Sequence, residues 1–260
     1  MTTFNETITL TFCESGENHV GMEILGEKAP VGKGFDLEDL ERVQSIFDDQ
    51  GFETELYPLS YLVELEEVEE AYVLVIRQGV NYFLTEPEEF LQELICFEWD
   101  RKYWDHRRQR VLNKHARANV CFGSISSEPD YENKKGRVVG YREVPQLNKI
   151  KESLSDLLGE KGDNLVCEGN RYFNLEKCGI GFHGDSERRR VIGIRVGQPM
   201  NIKWSWFYQS KSQGIPLELT LNDGDIYFMC EKAVGTDWKK RNIYTLRHAA
   251  GCSKYLELTK

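Results

Sequence analysis

Polar and apolar residues alternate over residues 6–13 (Glu-Thr-Ile-Thr-Leu-Thr-Phe-Cys), and this two-residue period predicts a half-buried strand. After a polar turn around Gly16, the period lengthens. Leu37, Leu40, Val43, Ile46 and Phe47 recur at helical spacing, with Asp36 placed to cap the helix and Gly51 to stop it. Residues 56–63 read as an extended stretch broken by Pro58, and residues 64–70 as an acidic solvated face or loop. The continuous apolar run 71–77 predicts a buried strand, followed by a turn at 78–81. A second helix begins near Thr85 and Pro87 and buries Phe90, Leu91, Leu94, Ile95 and Phe97. A third begins at Pro145, with Leu147, Ile150, Leu154, Leu157 and Leu158 on one side.

Beyond residue 165 the pattern is strand-rich. Candidate strands cover 165–174, 179–185, 191–196, 202–207, 217–220, 225–229 and 243–246. Short strands separated by turns suggest a double-sheet jelly roll. The expected fold is therefore α+β, with a small α+β module over residues 1–98 and a jelly roll with flanking helices over residues 99–260. Trp204 and Trp206 share a strand face and are expected in the core. Gly179-Ile180-Gly181 leads into His-Gly-Asp and not into a helix, so it is no dinucleotide fingerprint.

Composition narrows the classes. With 40% hydrophobic and 29% charged residues, the 260-residue chain is expected to fold as a soluble globule. It has no run of about 18 apolar residues and no basic-then-apolar leader, which predicts no membrane span and an intracellular location, cytoplasm or nucleus. Seven cysteines, an odd number without a Cys-x-x-Cys, favour reduced thiols. A net charge of -10 argues against a surface coated for nucleic acid. One stretch reverses that sign. Arg101, Lys102, Arg107, Arg108, Arg110, Lys114 and Arg117 fall among Trp99, Tyr103 and Trp104. Such a mixture suits phosphates and exposed bases, or a basic surface helix answering the acidic N-terminal module. The polar stretch 126–135 reads as a loop suited to cover a site.

The candidate chemistry centres on His183 and Asp185. Two residues apart on a strand, they face one side, and an imidazole beside a carboxylate makes two thirds of a facial triad for Fe(II). Arg241 and Arg247 are also an even number of residues apart. On a strand their guanidinium groups would converge on a bound carboxylate.

Four pieces in order resemble the AlkB family of Fe(II)/2-oxoglutarate dioxygenases. Residues 119–123 (Asn-Val-Cys-Phe-Gly) resemble its lid segment, Asn170-Arg171-Tyr172 its Asn-x-Tyr, His183-Gly184-Asp185 its His-x-Asp, and Arg241 to Arg247 its Arg-x5-Arg. The resemblance covers roughly residues 110–250. It implies a jelly roll holding Fe(II) at its open end, with 2-oxoglutarate and O2 as co-substrates. By the same resemblance, Asn170, Tyr172, Arg241 and Arg247 would hold 2-oxoglutarate, while Glu187 and Phe122 would contact substrate. The family has a second metal-binding histidine before its first arginine, whereas no histidine lies between His183 and His248 here. Asp237 lies nearest the expected place and is the expected third ligand, a water or vacancy being the alternative. His248 is the other candidate, directly after Arg247 and facing away from it on a strand. The implied activity is oxidation of alkyl groups on unstacked nucleobases of DNA or RNA. The alternatives are an iron-free nucleic-acid-binding protein of the same fold, or a hydroxylase of a protein or small molecule.

Overall fold

The computed structural model describes residues 5–63 and 68–258. The acidic stretch 64–67 lies outside the described residues; Glu69 and Glu70, which follow it, are exposed as expected. In chain order the strands are β1 (Thr7–Cys13), β2 (Ser15–Glu17), β3 (Ile24–Gly26), β4 (Thr54–Pro58) and β5 (Tyr72–Ile76). Then come β6 (Lys102–Asp105), β7 (Arg110–Asn113), β8 (Ala118–Gly123) and β9 (Val138–Gly140). The C-terminal set is β10 (Val166–Tyr172), β11 (Gly179–His183), β12 (Val191–Gly197), β13 (Met200–Tyr208), β14 (Lys211–Leu221), β15 (Ile226–Met229) and β16 (Thr245–Gly251). The main helices are α1 (Leu37–Asp49), α2 (Glu88–Ile95) and α3 (Pro145–Leu158). No helix among the described residues is long and apolar enough to cross a membrane.

The result is a mixed α+β fold, mostly sheet with few helices. Eight strands form one sheet in the order β4-β5-β15-β12-β1-β10-β8-β9, and four form another in the order β11-β16-β13-β14. Residues of both sheets line one cavity, so the sheets face each other, and no barrel closes. The expected boundary at residue 98 does not separate two sheets. β1 and β5 come from the N-terminal stretch yet pair with β10, β12 and β15 in the larger sheet, and β4 adds to its edge beside β5. The backbone groups of a central strand are satisfied on both edges only by such neighbours, which is why the first hundred residues fold into the same core.

β1 also changes meaning in three dimensions. Every residue of it is buried. Ile8, Leu10 and Phe12 are fully buried core residues, while Thr9 and Thr11 line the cavity between the sheets. The alternation marks an apolar interior and a polar one, not inside and outside. Asp36 caps α1 through a reciprocal box with Asp39 (3.0 Å each way), as its position predicts. The basic stretch after residue 100 forms the β6–β7 hairpin and not a helix. Trp204 and Trp206 are fully buried as expected, and the Trp206 indole donates to the Leu59 carbonyl at 2.8 Å.

Candidate metal centre

β11 ends at His183, and its antiparallel partner β16 carries His248 directly across from it. The ladder skips register between Ile180 and His183, a bulge that re-aims the side chain at the strand end. The chain then leaves the sheet. Asp185 stands in the following loop, held by its amide donating to the Val234 carbonyl at 3.1 Å. Gly184 is required there because a Cβ would strike the backbone of Gly235 and the Trp238 side chain. Strand, bulge and loop together bring three donors to one point.

One ligand atom each from His183, Asp185 and His248 lies within 4.8 Å of the other two. His183 Nε2 is 3.6 Å from Asp185 Oδ1, and His248 Nε2 is 3.9 Å from Asp185 Oδ2. Ligand bonds near 2.1 Å would set roughly 3 Å between neighbouring donors, so the three would have to draw closer together to share one ion. His183 Nδ1 is 2.8 Å from the Gly181 carbonyl. A carbonyl only accepts, so Nδ1 donates to it and Nε2 is the ring nitrogen turned toward a metal. Burial, then the neighbouring His183 and Arg188, hold His248 well below the ordinary histidine pKa. It is therefore neutral at pH 7 and free to ligate, and its Nδ1 is buried without a partner.

Arg188 organises the carboxylates beside the site and is only 3% exposed. Its guanidinium donates to Glu168 and to Glu187 at 2.5 Å each and lies 3.6 Å from Asp185 Oδ2. Burial pushes Glu168 up, but Arg188, with Asn170, outweighs it and holds the carboxyl below its usual range. Inward from the three donors runs a cavity of about 60 Å³, lined by Thr9, Tyr172, Tyr227 and Arg195 among others. A water needs at least about 10–15 Å³ of such space, so the cavity is wide enough for water and too small for a nucleobase.

No family model matches the chain. It is 48% identical over 260 residues to "Uncharacterized protein R156" of Acanthamoeba polyphaga mimivirus, a match that covers 99% of this chain and 100% of the relative. The chain belongs to the family of that mimivirus protein.

In this member of the family the expected third ligand is displaced. Asp237 Oδ2 accepts from Lys232 Nζ at 3.0 Å, and its side chain lines another cleft with Lys232 and Thr236. His248 supplies the donor in its place. Strand parity explains why: β16 turns His248 inward and Arg247 outward, where Arg247 stacks over Phe207 at 4.3 Å and Trp238 at 5.4 Å. Arg241 precedes β16 and is exposed. The two arginines therefore share no strand face, and neither lines the cavity. Asn170 and Tyr172 do line it. Asn170 Oδ1 accepts from Arg117 at 2.7 Å and Asn119 at 2.5 Å, while its amide donates to Glu168 at 3.1 Å. Phe122 is fully buried against Phe97, on the face of β8 away from the cavity, so it packs the core. Glu187 lies next to the site and is bound to Arg188. Its carboxyl is raised by burial and by the neighbouring carboxylates Asp185 and Glu168, against the pull of Arg188.

Sequence reading singled out neither Arg188 nor Arg195, the latter lying within the candidate strand 191–196. The signal for Arg195 was its place in Val191-Ile192-Gly193-Ile194-Arg195-Val196. A charged residue in such an apolar run is costly unless something answers it.

Proposed function

We propose that the chain is an Fe(II)- and 2-oxoglutarate-dependent dioxygenase of the AlkB type, its facing sheets forming an opened jelly roll. The observation that carries this reading is the meeting of His183, Asp185 and His248. Two imidazoles and one carboxylate suit Fe(II) with open positions, and a hard-oxygen or thiolate metal would want other donors. Fe(II) with 2-oxoglutarate, when bound, supplies activation of O2 and oxidation of a substrate C–H bond, with release of succinate and CO2. The chain's own part is positional. The Gly181 carbonyl fixes the His183 tautomer, Arg188 fixes the Asp185 carboxylate, and the apolar side chains Ile180, Ile202 and Met229 restrict water.

The proposed substrate is a nucleobase of single-stranded or flipped nucleic acid. The resemblance points there, and the β6–β7 hairpin supports it. Arg101, Lys102, Arg107 and Arg110 are exposed and, among the described residues, paired with no carboxylate. The hairpin packs against the loop after β2 through His106 Nε2, 2.6 Å from the Gly21 carbonyl. That loop walls a cleft of about 730 Å³ that also includes Gly184, Glu187 and Trp238, beside the metal centre. Phosphates on the hairpin would lead a base toward that cleft. Against the iron-free alternative stands His248, a histidine beside His183 and Asp185 where Asp237 was the expected third ligand.

Anaerobic addition of Fe(II) and 2-oxoglutarate tests the centre: a metal-to-ligand charge-transfer band is expected, and its absence rejects the reading. Succinate release stimulated by alkylated single strands tests the substrate. Replacing Arg107, Arg108 and Arg110 by alanine should weaken strand binding by about tenfold or more at low salt and flatten its salt dependence, while the band persists. Stimulation by peptides alone would assign the enzyme to protein hydroxylation.

A further inference from the structure

We propose that Cys178 and Cys252 form a reversible disulfide, a redox clasp across the two strands that carry His183 and His248. All seven cysteines are free thiols in this structure. Gly179 on β11 stands directly opposite Gly251 on β16, and Ile180 opposite Ala250. Cys178 and Cys252 follow as the next pair outward, and the Cys252 amide donates to the Cys178 carbonyl at 3.1 Å. Opposed residues joined in this way lie about 5.5 Å apart between Cα atoms, inside the roughly 4.4–6.8 Å that a disulfide spans. The glycines draw the two strands together: a Cβ on Gly251 would fall 2.4 Å from the Gly179 Cα. Alternation along each strand puts both thiols on one face, the face on which Ile180 and Ala250 line the cavity. Leu175, from the turn that leads into Cys178, walls the same cleft as Cys252.

The other cysteines are placed differently. Cys13 stands opposite Val166, Cys167 opposite Phe12 and Phe122, and Cys121 opposite Glu168, so on these ladders no thiol meets a thiol. Cys96 is exposed at the end of α2, and Cys230 Sγ accepts from the Tyr72 amide at 3.1 Å. Within the proposed pair the two thiols have unequal roles. Cys178 is fully buried. Burial, against the backbone amides of Asn174 and Phe173, pushes its thiol up, which suits the resolving partner. Cys252 is half-buried and borders a cleft of about 510 Å³, where a small oxidant reaches it first. The oxidant class is a hydroperoxide, of which hydrogen peroxide is the simplest. The Cys252 sulfur attacks one peroxide oxygen; an S–O bond forms, the O–O bond breaks, and the departing oxygen leaves as water with the thiol proton. The Cys178 sulfur then attacks the sulfenic sulfur; the S–S bond forms, the S–O bond breaks, and the hydroxyl leaves as water with the second thiol proton. Two thiols are oxidised and one peroxide is reduced to two waters. Exchange with a thiol reductant reverses the change. The clasp lies five residues from His183 and four from His248, on the far side of the register shift that precedes His183. Oxidation thereby stiffens the frame that presents the two histidines.

The test uses full-length, metal-free protein, so its outcome is independent of the metal reading. One sample is treated with a small excess of hydrogen peroxide and another is kept in thiol reductant. Oxidation should remove two of the seven titratable thiols, lower the mass by two hydrogens and yield one cross-linked peptide pair, Cys178 with Cys252. The melting temperature should rise on the order of 5 °C, as a native-geometry cross-link restrains the unfolded chain. Hydrogen exchange of the β11 and β16 amides should slow by about tenfold. Reductant should reverse all of these changes. Cys252→Ser should abolish the cross-link and both shifts, whereas Cys13→Ser should keep them. Where Cys252→Ser does not fold, alkylating Cys252 in the wild-type protein before peroxide replaces it, and should block the cross-link. No cross-link, a cross-link between other cysteines, or Cys252 driven to sulfinic acid while Cys178 still titrates as a thiol overturns the inference. So does a Cys178–Cys252 bond that leaves melting and exchange unchanged, because it clasps nothing.

Discussion

Replacing His248 by alanine is expected to abolish Fe(II) binding, weakening it by more than about a hundredfold. Loss of an outer-shell partner alone typically costs 10–100-fold, and removing a direct ligand costs more. Asp237→Asn serves as the contrast. Its carboxylate is engaged by Lys232 and points into another cleft, so Fe(II) affinity should stay within about twofold, since the variant touches no ligand or outer-shell partner. Equilibrium dialysis under argon reads both. Equal losses in the two variants would place the third ligand elsewhere. His248→Ala should also alter the stability of the metal-free protein with pH. The folded pKa of His248 is depressed, so its contribution is complete above the unfolded value near 6.5 and is lost as pH falls from there toward the folded value. The alanine variant lacks that part of the acid loss, which denaturant melts between pH 7 and pH 5 would detect.

Arg188→Met should destabilise the fold by about 3–5 kcal/mol, the cost of leaving a buried anion without its cation. Glu168 is the anion concerned, and it sits in the middle of the larger sheet on β10. In wild type its depressed pKa contributes stability above the unfolded value of 4.5, and that contribution is lost as pH falls through the folded pKa. Without Arg188, burial dominates and the carboxyl rises. The variant should then gain stability relative to wild type as pH drops from 7 toward 5, a window in which the wild-type Glu168 contributes almost no slope. A midpoint difference between the two proteins that stays constant over that range would rule out Arg188 as the partner that sets Glu168. Because Arg188 also orients Asp185, the variant should bind Fe(II) about 10–100-fold more weakly even where it is fully folded.

The local elements were legible in the chain. Helical spacing with Asp36 and Pro145 at the starts placed α1 and α3, and short-period alternation placed β1 and the C-terminal strands. The His-x-Asp motif led to the centre, although its parity argument holds only in part: His183 ends a strand while Asp185 is carried by a loop. Parity helped more at Arg247 and His248, which face opposite ways. The motif resemblance put the arginine inside, and the strand register put the histidine there.

Periodicity and capping depend on neighbours within a few residues, so the chain alone determined its main helices, β1, most C-terminal strands and two of the three candidate donors. Pairing between distant segments decided the remainder. His183 and His248 lie 65 residues apart in sequence and meet only because β11 pairs with β16. Arg195 became a cavity cation only when β1, from the far N-terminus, set Thr9 beside it. Which face of a strand holds polar chemistry and which holds packing depends on what lies opposite, and that is a property of the folded sheets.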